Sequence, residues 1–313
     1  MGICSSSLDR DYNCNLVKLD GKYFDVTKDY LLEESIKEPL NKKYKITKMN
    51  IGNGAFGKVL LGLDSFGNKY AIKLIKKIKV LNGQLLLNEV RIGKRINHPN
   101  ILKIKEVYED KKYILFIMDY IDGGSLFNYI VSSPNGKLDI LTTLEIMIQI
   151  LEALDYLHNQ AKICHRDIKP ENFLVTMDKD NKPFVKLIDF GLAHEIKKGE
   201  KMKGRIGTTV YMAPEILKKL KYNEKVDMWS AGVLLFNMIT GCEPFSSDNE
   251  EDKILQILNC KIEFDAIDNE DIKSLCKDLM EKNPSKRIDS KSALIKAKKI
   301  KKNYLDTFNY LYL

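Results

Sequence analysis

His165-Arg166-Asp167-Ile168-Lys169-Pro170-Glu171-Asn172 places a carboxylate and a carboxamide five residues apart on one loop, with an ammonium between them. Phosphoryl transfer calls for an acceptor of the incoming hydroxyl's proton and for oxygen ligands to Mg²⁺, and Asp167 and Asn172 are of those types. Downstream, Asp189-Phe190-Gly191 follows a strand-like run at 185–188 and offers a second hard-oxygen ligand. Ala213-Pro214-Glu215 closes that segment.

Two further signals lie upstream. Gly52-Asn53-Gly54-Ala55-Phe56-Gly57-Lys58-Val59 spaces its glycines so that a backbone turn can approach phosphate oxygens. By itself this spacing equally suits a tight hairpin. A dinucleotide site needs a helix after the glycines, whereas residues 58–61 read as strand. Tyr70-Ala71-Ile72-Lys73 sets a lysine on a strand. It is either a solvated edge residue or, with Glu89 on the next helical pattern holding its stem, a ligand for nucleotide phosphates.

The 313 residues are 44% hydrophobic and 30% charged, the balance of a folded globular chain. Six scattered cysteines form no C-x-x-C pair, which excludes a disulfide scaffold, zinc knuckle or redox motif and points to a reducing intracellular compartment. No apolar run of about 18 residues is present, so no membrane-spanning segment is expected, and the polar start argues against a secretory signal. The net charge of +8 points to an acidic partner: nucleotide phosphate, nucleic acid or an anionic membrane. Residues 1–43 read as a partly ordered arm with a short apolar patch at 30–32. Residues 44–297 are densely patterned, and 298–313 form a basic, aromatic tail. Strands are expected over 44–61, 69–75, 104–108 and 113–118, with a helix at 85–96. After Gly123-Gly124 the pattern turns mainly helical, as at 141–157. The fold class is therefore α+β, a small β-rich lobe followed by a larger helical one, with a ligand cleft expected at the joining segment.

In this order, the glycine stretch, Lys73 with Glu89, the 165–172 loop, Asp189-Phe190-Gly191 and Ala213-Pro214-Glu215 resemble the eukaryotic protein kinases over residues 44–297. Lys169 and residues 207–215 resemble the serine/threonine branch. Lys201-Met202-Lys203 with Ile206-Gly207-Thr208 is similar to the calcium/calmodulin-dependent group, including the calcium-dependent kinases. The resemblance implies a two-lobed protein kinase fold and a serine/threonine kinase using Mg²⁺ and ATP on protein substrates, with no nucleic-acid partner. It implies Asp167 as catalytic base, Lys169 beside the γ-phosphate, and Asn172 and Asp189 as metal ligands. Lys73 would meet the α- and β-phosphates, anchored by Glu89 and covered by Gly52, Gly54 and Gly57. Ile51, Val59, Ala71 and Leu174 would enclose adenine. Met118 would be a bulky gatekeeper, with hinge backbone at Asp119 and Ile121. Thr208 and Glu171 would face substrate, Glu215 would pair with Arg287, and Asp227 would hold the catalytic-loop backbone. The rivals are a pseudokinase scaffold, which the intact catalytic set opposes, and a tyrosine kinase, which Lys169 opposes.

Three departures stand out. No serine or threonine lies between Gly191 and Gly207, so activation-segment phosphorylation is not the expected switch, and Glu200 is a candidate anion for Arg166. Gly93, four residues after Glu89, leaves an expected gap against Ile104, Phe190 and His165, filled by a neighbour such as Ile92 or Ile96, or else a sign of a helix that needs a partner to seat it. Ser125 and Asn237 stand where basophilic relatives often carry acids, so a preference for arginine in substrates is left open.

At the ends, Met1-Gly2-Ile3-Cys4-Ser5-Ser6 fits a myristoylation signal at Gly2, with Cys4 placed for a second acyl chain. A cytoplasmic protein with lipid-mediated membrane contact is the expectation. Residues 291–302 hold six lysines and no acid. They suit a docked terminal helix, a site for calmodulin or another activator, anionic lipid, or an inhibitory fold-back. No EF-hand loop occurs anywhere in the 313 residues: Asp178-Lys179-Asp180-Asn181 lacks the glycine and the closing glutamate and reads as a hairpin turn, so a calcium response would come through a partner.

Overall fold

The computed structural model describes residues 16–19, 22–25, 31–54, 57–80 and 83–311. They fall into two units, Met1–Arg95 with Lys103–Tyr120, and Ile96–Leu102 with Ile121–Leu313. Gly2 and Cys4 lie outside the described residues.

In the first unit, β1 (Leu16–Leu19) and β2 (Lys22–Asp25) form a two-stranded hairpin. A five-stranded antiparallel sheet follows, in the order β3-β4-β5-β7-β6. The strand-like stretch at 44–61 is two strands, β3 (Lys45–Gly54) and β4 (Gly57–Leu63), because the chain reverses between Gly54 and Gly57. Asp64 caps the next turn through Phe66 N and Asn68 N, both 2.9 Å, and leads into β5 (Lys69–Lys76). Helix α1 spans Gly83–Arg95, followed by β6 (Glu106–Glu109) and β7 (Tyr113–Asp119). β7 is the sheet's most apolar strand, and four of its residues, Ile114 to Ile117, are buried.

Leu31 and Leu32 are buried in the same core cluster as Val90 of α1 and Phe116 of β7.

The second unit is helical. α2 (Leu126–Ser132) is capped by Ser125, and α3 (Ile140–Asp155) by Asp139, whose carboxylate accepts from Thr142 N at 2.9 Å. A π-helical turn, Tyr156–Ala161, ends α3. Short pairs follow: β8 (Ile163–Cys164) with β11 (His194–Glu195), and β9 (Phe173–Met177) with β10 (Pro183–Leu187). Asp178 closes the β9–β10 turn as the sequence suggests. α4 (Pro214–Leu217) precedes α5 (Lys225–Thr240), which is buried nearly all round and is the unit's central helix. α6 (Glu250–Asn259), α7 (Glu270–Leu279) and α8 (Ser290–Leu311) complete it.

The lysine-rich stretch is part of α8, whose Ala293, Ala297 and Ile300 are buried. Lys296, Lys298 and Lys301 pair with Asp278, Glu152 and Glu145 at 2.6, 2.8 and 2.9 Å. Half of the six lysines thus meet carboxylates of α3 and of the α7 terminus. No described helix is long and apolar enough to cross a membrane.

Candidate active site

In the first unit, pairing register gathers one set of candidates. Gly52 pairs with Val59, Val59 with Lys73, Lys73 with Phe116 and Ala71 with Met118. Directly paired residues point to the same side of a sheet, so Gly52, Val59, Ala71, Lys73 and Met118 share one face. Ile51 is half-buried beside Gly52, Asp119 closes β7, and Gly54 pairs with Gly57 at the end of the hairpin. A Cβ at Gly57 would lie 1.6 Å from the Leu74 carbonyl oxygen, so only glycine lets β4 approach β5 there. Gly52 has no such constraint: a Cβ would meet Val59 at an ordinary 3.8 Å.

Lys73 is not a solvated edge residue. It is buried, its Nζ is 2.5 Å from Glu89 Oε1, and the Phe116 ring lies 5.8 Å away. The gap expected beside Gly93 is absent. A Cβ there would meet Ile104 Cδ1 at 2.5 Å, and Ile104 N donates to the Gly93 carbonyl at 3.0 Å. Ile104, rather than Ile92 or Ile96, fills the space, and glycine admits it.

In the second unit, the catalytic-loop candidates interlock. Asp167 Oδ2 is 2.9 Å from Lys169 Nζ, which also donates to Thr208 Oγ1 at 2.8 Å, and that hydroxyl donates to Asp167 Oδ1 at 3.0 Å. Asn172 Nδ2 donates to the Asp167 carbonyl and to Oδ2, at 2.7 and 2.9 Å. This leaves the Asn172 amide oxygen for a cation. Ile188 N donates to the Asn172 carbonyl at 2.8 Å, bringing Asp189 next to it in the chain. Asp189 adopts φ +63°, a sparsely populated conformation for a non-glycine residue, and its Oδ1 accepts from Gly191 N at 3.1 Å. Gly207, at φ +112°, passes so close to the Arg166 carbonyl that a Cβ would sit 2.7 Å from it; this delivers Thr208 to Asp167.

The loop is suspended from α5. Asp227 is fully buried, and its Oδ2 accepts from His165 N and His158 Nε2 while Oδ1 accepts from Arg166 N, all at 2.8 Å. Burial alone would push this carboxyl up, but the hydrogen bonds it accepts from His158 and His165 outweigh that and hold the group below its ordinary range. His158 carries no sequence signal; the π-helical turn brings it to Asp227, a common use of such turns. Asp167 N donates to His165 Nδ1 at 3.3 Å, so Nε2 carries the proton and donates to the Ile188 carbonyl at 3.3 Å. Glu215 and Arg287 form a buried bidentate pair at 2.6 and 3.0 Å. Leu174 is half-buried on β9, as is Ile121 at the start of this unit, and Glu171 is exposed.

Glu200 does not serve Arg166. It lies 3.9 Å from Lys197, while Arg166 Nε donates to the Leu192 carbonyl at 2.7 Å and NH1 reaches Tyr222 OH at 3.5 Å. Tyr222 also exchanges backbone bonds with Met202, at 2.8 and 3.0 Å. The activation segment is closed on Arg166 by neutral partners, a backbone carbonyl and a phenol, rather than by an anion.

Among the described residues no cluster of three or more histidine, cysteine or acidic side chains forms a metal cage. The Asp189 carboxylate and the Asn172 amide oxygen are hard-oxygen donors of the type that suits Mg²⁺, which keeps waters and phosphate oxygens as its other ligands.

A sequence model of the protein kinase domain matches residues 45–298. Calcium-dependent protein kinase 4 of Plasmodium berghei (strain Anka) is 37% identical over 262 residues, covering 81% of this chain and 49% of its own length. Calcium-dependent protein kinase 5 of Plasmodium falciparum (isolate 3D7) is 34% identical over 301 residues, covering 94% of this chain and 52% of its own. The chain spans about half the length of the curated relatives it matches.

Proposed function

Because the chain belongs to the protein kinase family, we propose that it transfers the γ-phosphoryl group of Mg-ATP to serine and threonine hydroxyls of protein substrates. The observation that carries this is the closed arrangement of Asp167, Lys169, Asn172 and Thr208. Asp167 takes the proton of the incoming hydroxyl, and Lys169 balances the charge that builds on the transferred group. Asn172 and Asp189 would hold Mg²⁺, which would neutralise phosphate charge. Lys73, fixed by Glu89, meets the α- and β-phosphates under Gly52, Gly54 and Gly57. Ile51, Val59 and Ala71 in the first unit flank adenine, Asp119 offers hinge backbone and Met118 restricts the space behind the base; Ile121 and Leu174 keep the hinge and adenine roles that the family resemblance implies. Thr208 and Glu171 serve the substrate side. Radiolabelled ATP with a generic protein acceptor is expected to label serine or threonine for wild type and not for Asp189→Ala. Equal incorporation by the two would refute the assignment.

The same reading extends to control. The neutral closure of Arg166 supports activity without a phosphate on the activation segment, so phosphatase treatment is expected to leave the rate unchanged. A calmodulin-type activator is proposed for α8, supported by its lysines and by exposed Ile295; assays of the full chain with and without calcium/calmodulin test it. The Met1-Gly2-Ile3-Cys4 start supports acylation at Gly2 and Cys4 and a cytoplasmic protein with membrane contact. Intact mass after expression with the acylating enzymes checks this point.

A further inference from the structure

Glu109 and Lys77 are 2% and 1% exposed and lie 3.0 Å apart, yet neither belongs to the reactive set. A buried ion pair persists only when further hydrogen bonds satisfy it. Here the extra donors come from the segment that precedes the sheet. Leu31 N donates to Glu109 Oε1 at 2.5 Å, and Leu32 N, Ser35 Oγ and Lys37 Nζ donate to Oε2 at 2.9, 3.0 and 3.2 Å. Burial alone would raise the Glu109 carboxyl, but these backbone donors and Lys77 more than offset it and hold it below its ordinary range.

The segment is also joined to the sheet edge and to α1. Ile36 pairs in parallel with Tyr108, its N–H donating to the Val107 carbonyl at 2.7 Å while Glu109 N donates back to its carbonyl at 3.1 Å. Leu31 and Leu32 share one core cluster with Leu86 and Val90, the α1 residues on either side of Glu89. Glu34 pairs with Lys94 in the last turn of α1 at 3.1 Å. Strand β1 lies against α1 as well.

We propose that residues 31–37 are a brace carried by the chain itself, which seats α1 and so holds the Glu89 carboxylate on Lys73. Leu31, Leu32 and Glu109 are its positioning residues. The brace supplies, from within the chain, apolar packing and an ion pair on α1. The inference rests on the kinase reading, in which the Lys73–Glu89 pair orients nucleotide phosphates.

The test compares full-length wild type, Leu31→Ala/Leu32→Ala and Glu109→Gln, with and without Glu89→Gln, and uses Glu33→Ala as an exposed control. Glu109→Gln keeps the side-chain volume and serves where the leucine pair costs too much stability. The readouts are kcat, KM for ATP and hydrogen exchange of the α1 amides. Brace variants are expected to lose at least tenfold in kcat and α1 protection with it, while Glu33→Ala matches wild type. In the Glu89→Gln background the same substitutions should cost less than twofold, since the pair they position is already gone. A peptide of residues 29–38 should restore activity to the leucine variant. Equal losses in both backgrounds, or faster α1 exchange with unchanged kcat, would overturn the brace. An inactive wild type would instead overturn the kinase reading, and α1 exchange alone would then decide whether residues 31–37 seat the helix.

Discussion

Replacing Asp227 by asparagine removes one anionic oxygen from a position where the fold uses two. Oδ2 receives His158 and His165 N, and Oδ1 receives Arg166 N. The better amide orientation keeps its oxygen at the doubly used position and turns its NH₂ toward the Arg166 N–H. One charge-assisted bond is lost, worth about 1.5–3 kcal/mol, and a buried donor is left facing another donor. Arg166 sits at φ +67°, so once released it has reason to relax toward a more populated conformation. Asp167 is the next residue and moves with it. At about 1.4 kcal/mol per factor of ten, kcat should fall roughly 10- to 100-fold, and the melting temperature should drop by about 4–10 °C. His158→Phe, which removes one side-chain donor and leaves both backbone bonds, should cost distinctly less. Steady-state phosphorylation assays and thermal melts of the purified variants measure both effects. An Asp227→Asn protein with kcat within about twofold of wild type would refute the view that this carboxylate holds the loop in its working shape.

Glu215→Ala leaves the fully buried Arg287 guanidinium without a carboxylate among its described partners, which are then the Glu281 and Lys225 carbonyls and the Trp229 ring; urea denaturation should show a loss of about 3–5 kcal/mol, and a smaller loss when Arg287→Met is added. Gly57→Ala should raise KM for ATP and lower the melting temperature, because β4 must leave β5 to admit the new Cβ, while Gly52→Ala should leave the melting temperature unchanged. Glu109 has a folded pKa below its ordinary 4.5, so its stabilisation is fully present above that pH and lost as pH falls through the depressed value. The stability difference between wild type and Glu109→Gln should therefore be constant from pH 5 to 7 and shrink below about pH 4.

The groups proposed to react were legible because the chemistry assigned to them packs such residues into short stretches. Asp167, Lys169 and Asn172 fall within six positions, and the loop that holds them has little freedom to scatter them. Strand pairing was legible in part: alternation located β5, β6 and β7, and the glycines of 52–57 marked a turn or hairpin, but only the pairing of β3 with β4 sets where in residues 44–61 one strand ends and the next begins. Gly93 misled for a related reason. A missing side chain reads as a gap, whereas the three-dimensional neighbour, Ile104, occupies the space.

The sequence by itself determined the chemistry of this protein, through side-chain types at fixed short separations, and with it the family and the division into a β-rich and a helical unit. Only the tertiary structure decided what supports that chemistry. Asp227 meets His158 across 69 positions and Glu109 meets Leu31 across 78. Such pairings follow from burial: a polar group taken out of water must find its partner wherever the fold has placed one, and no local pattern records where that is.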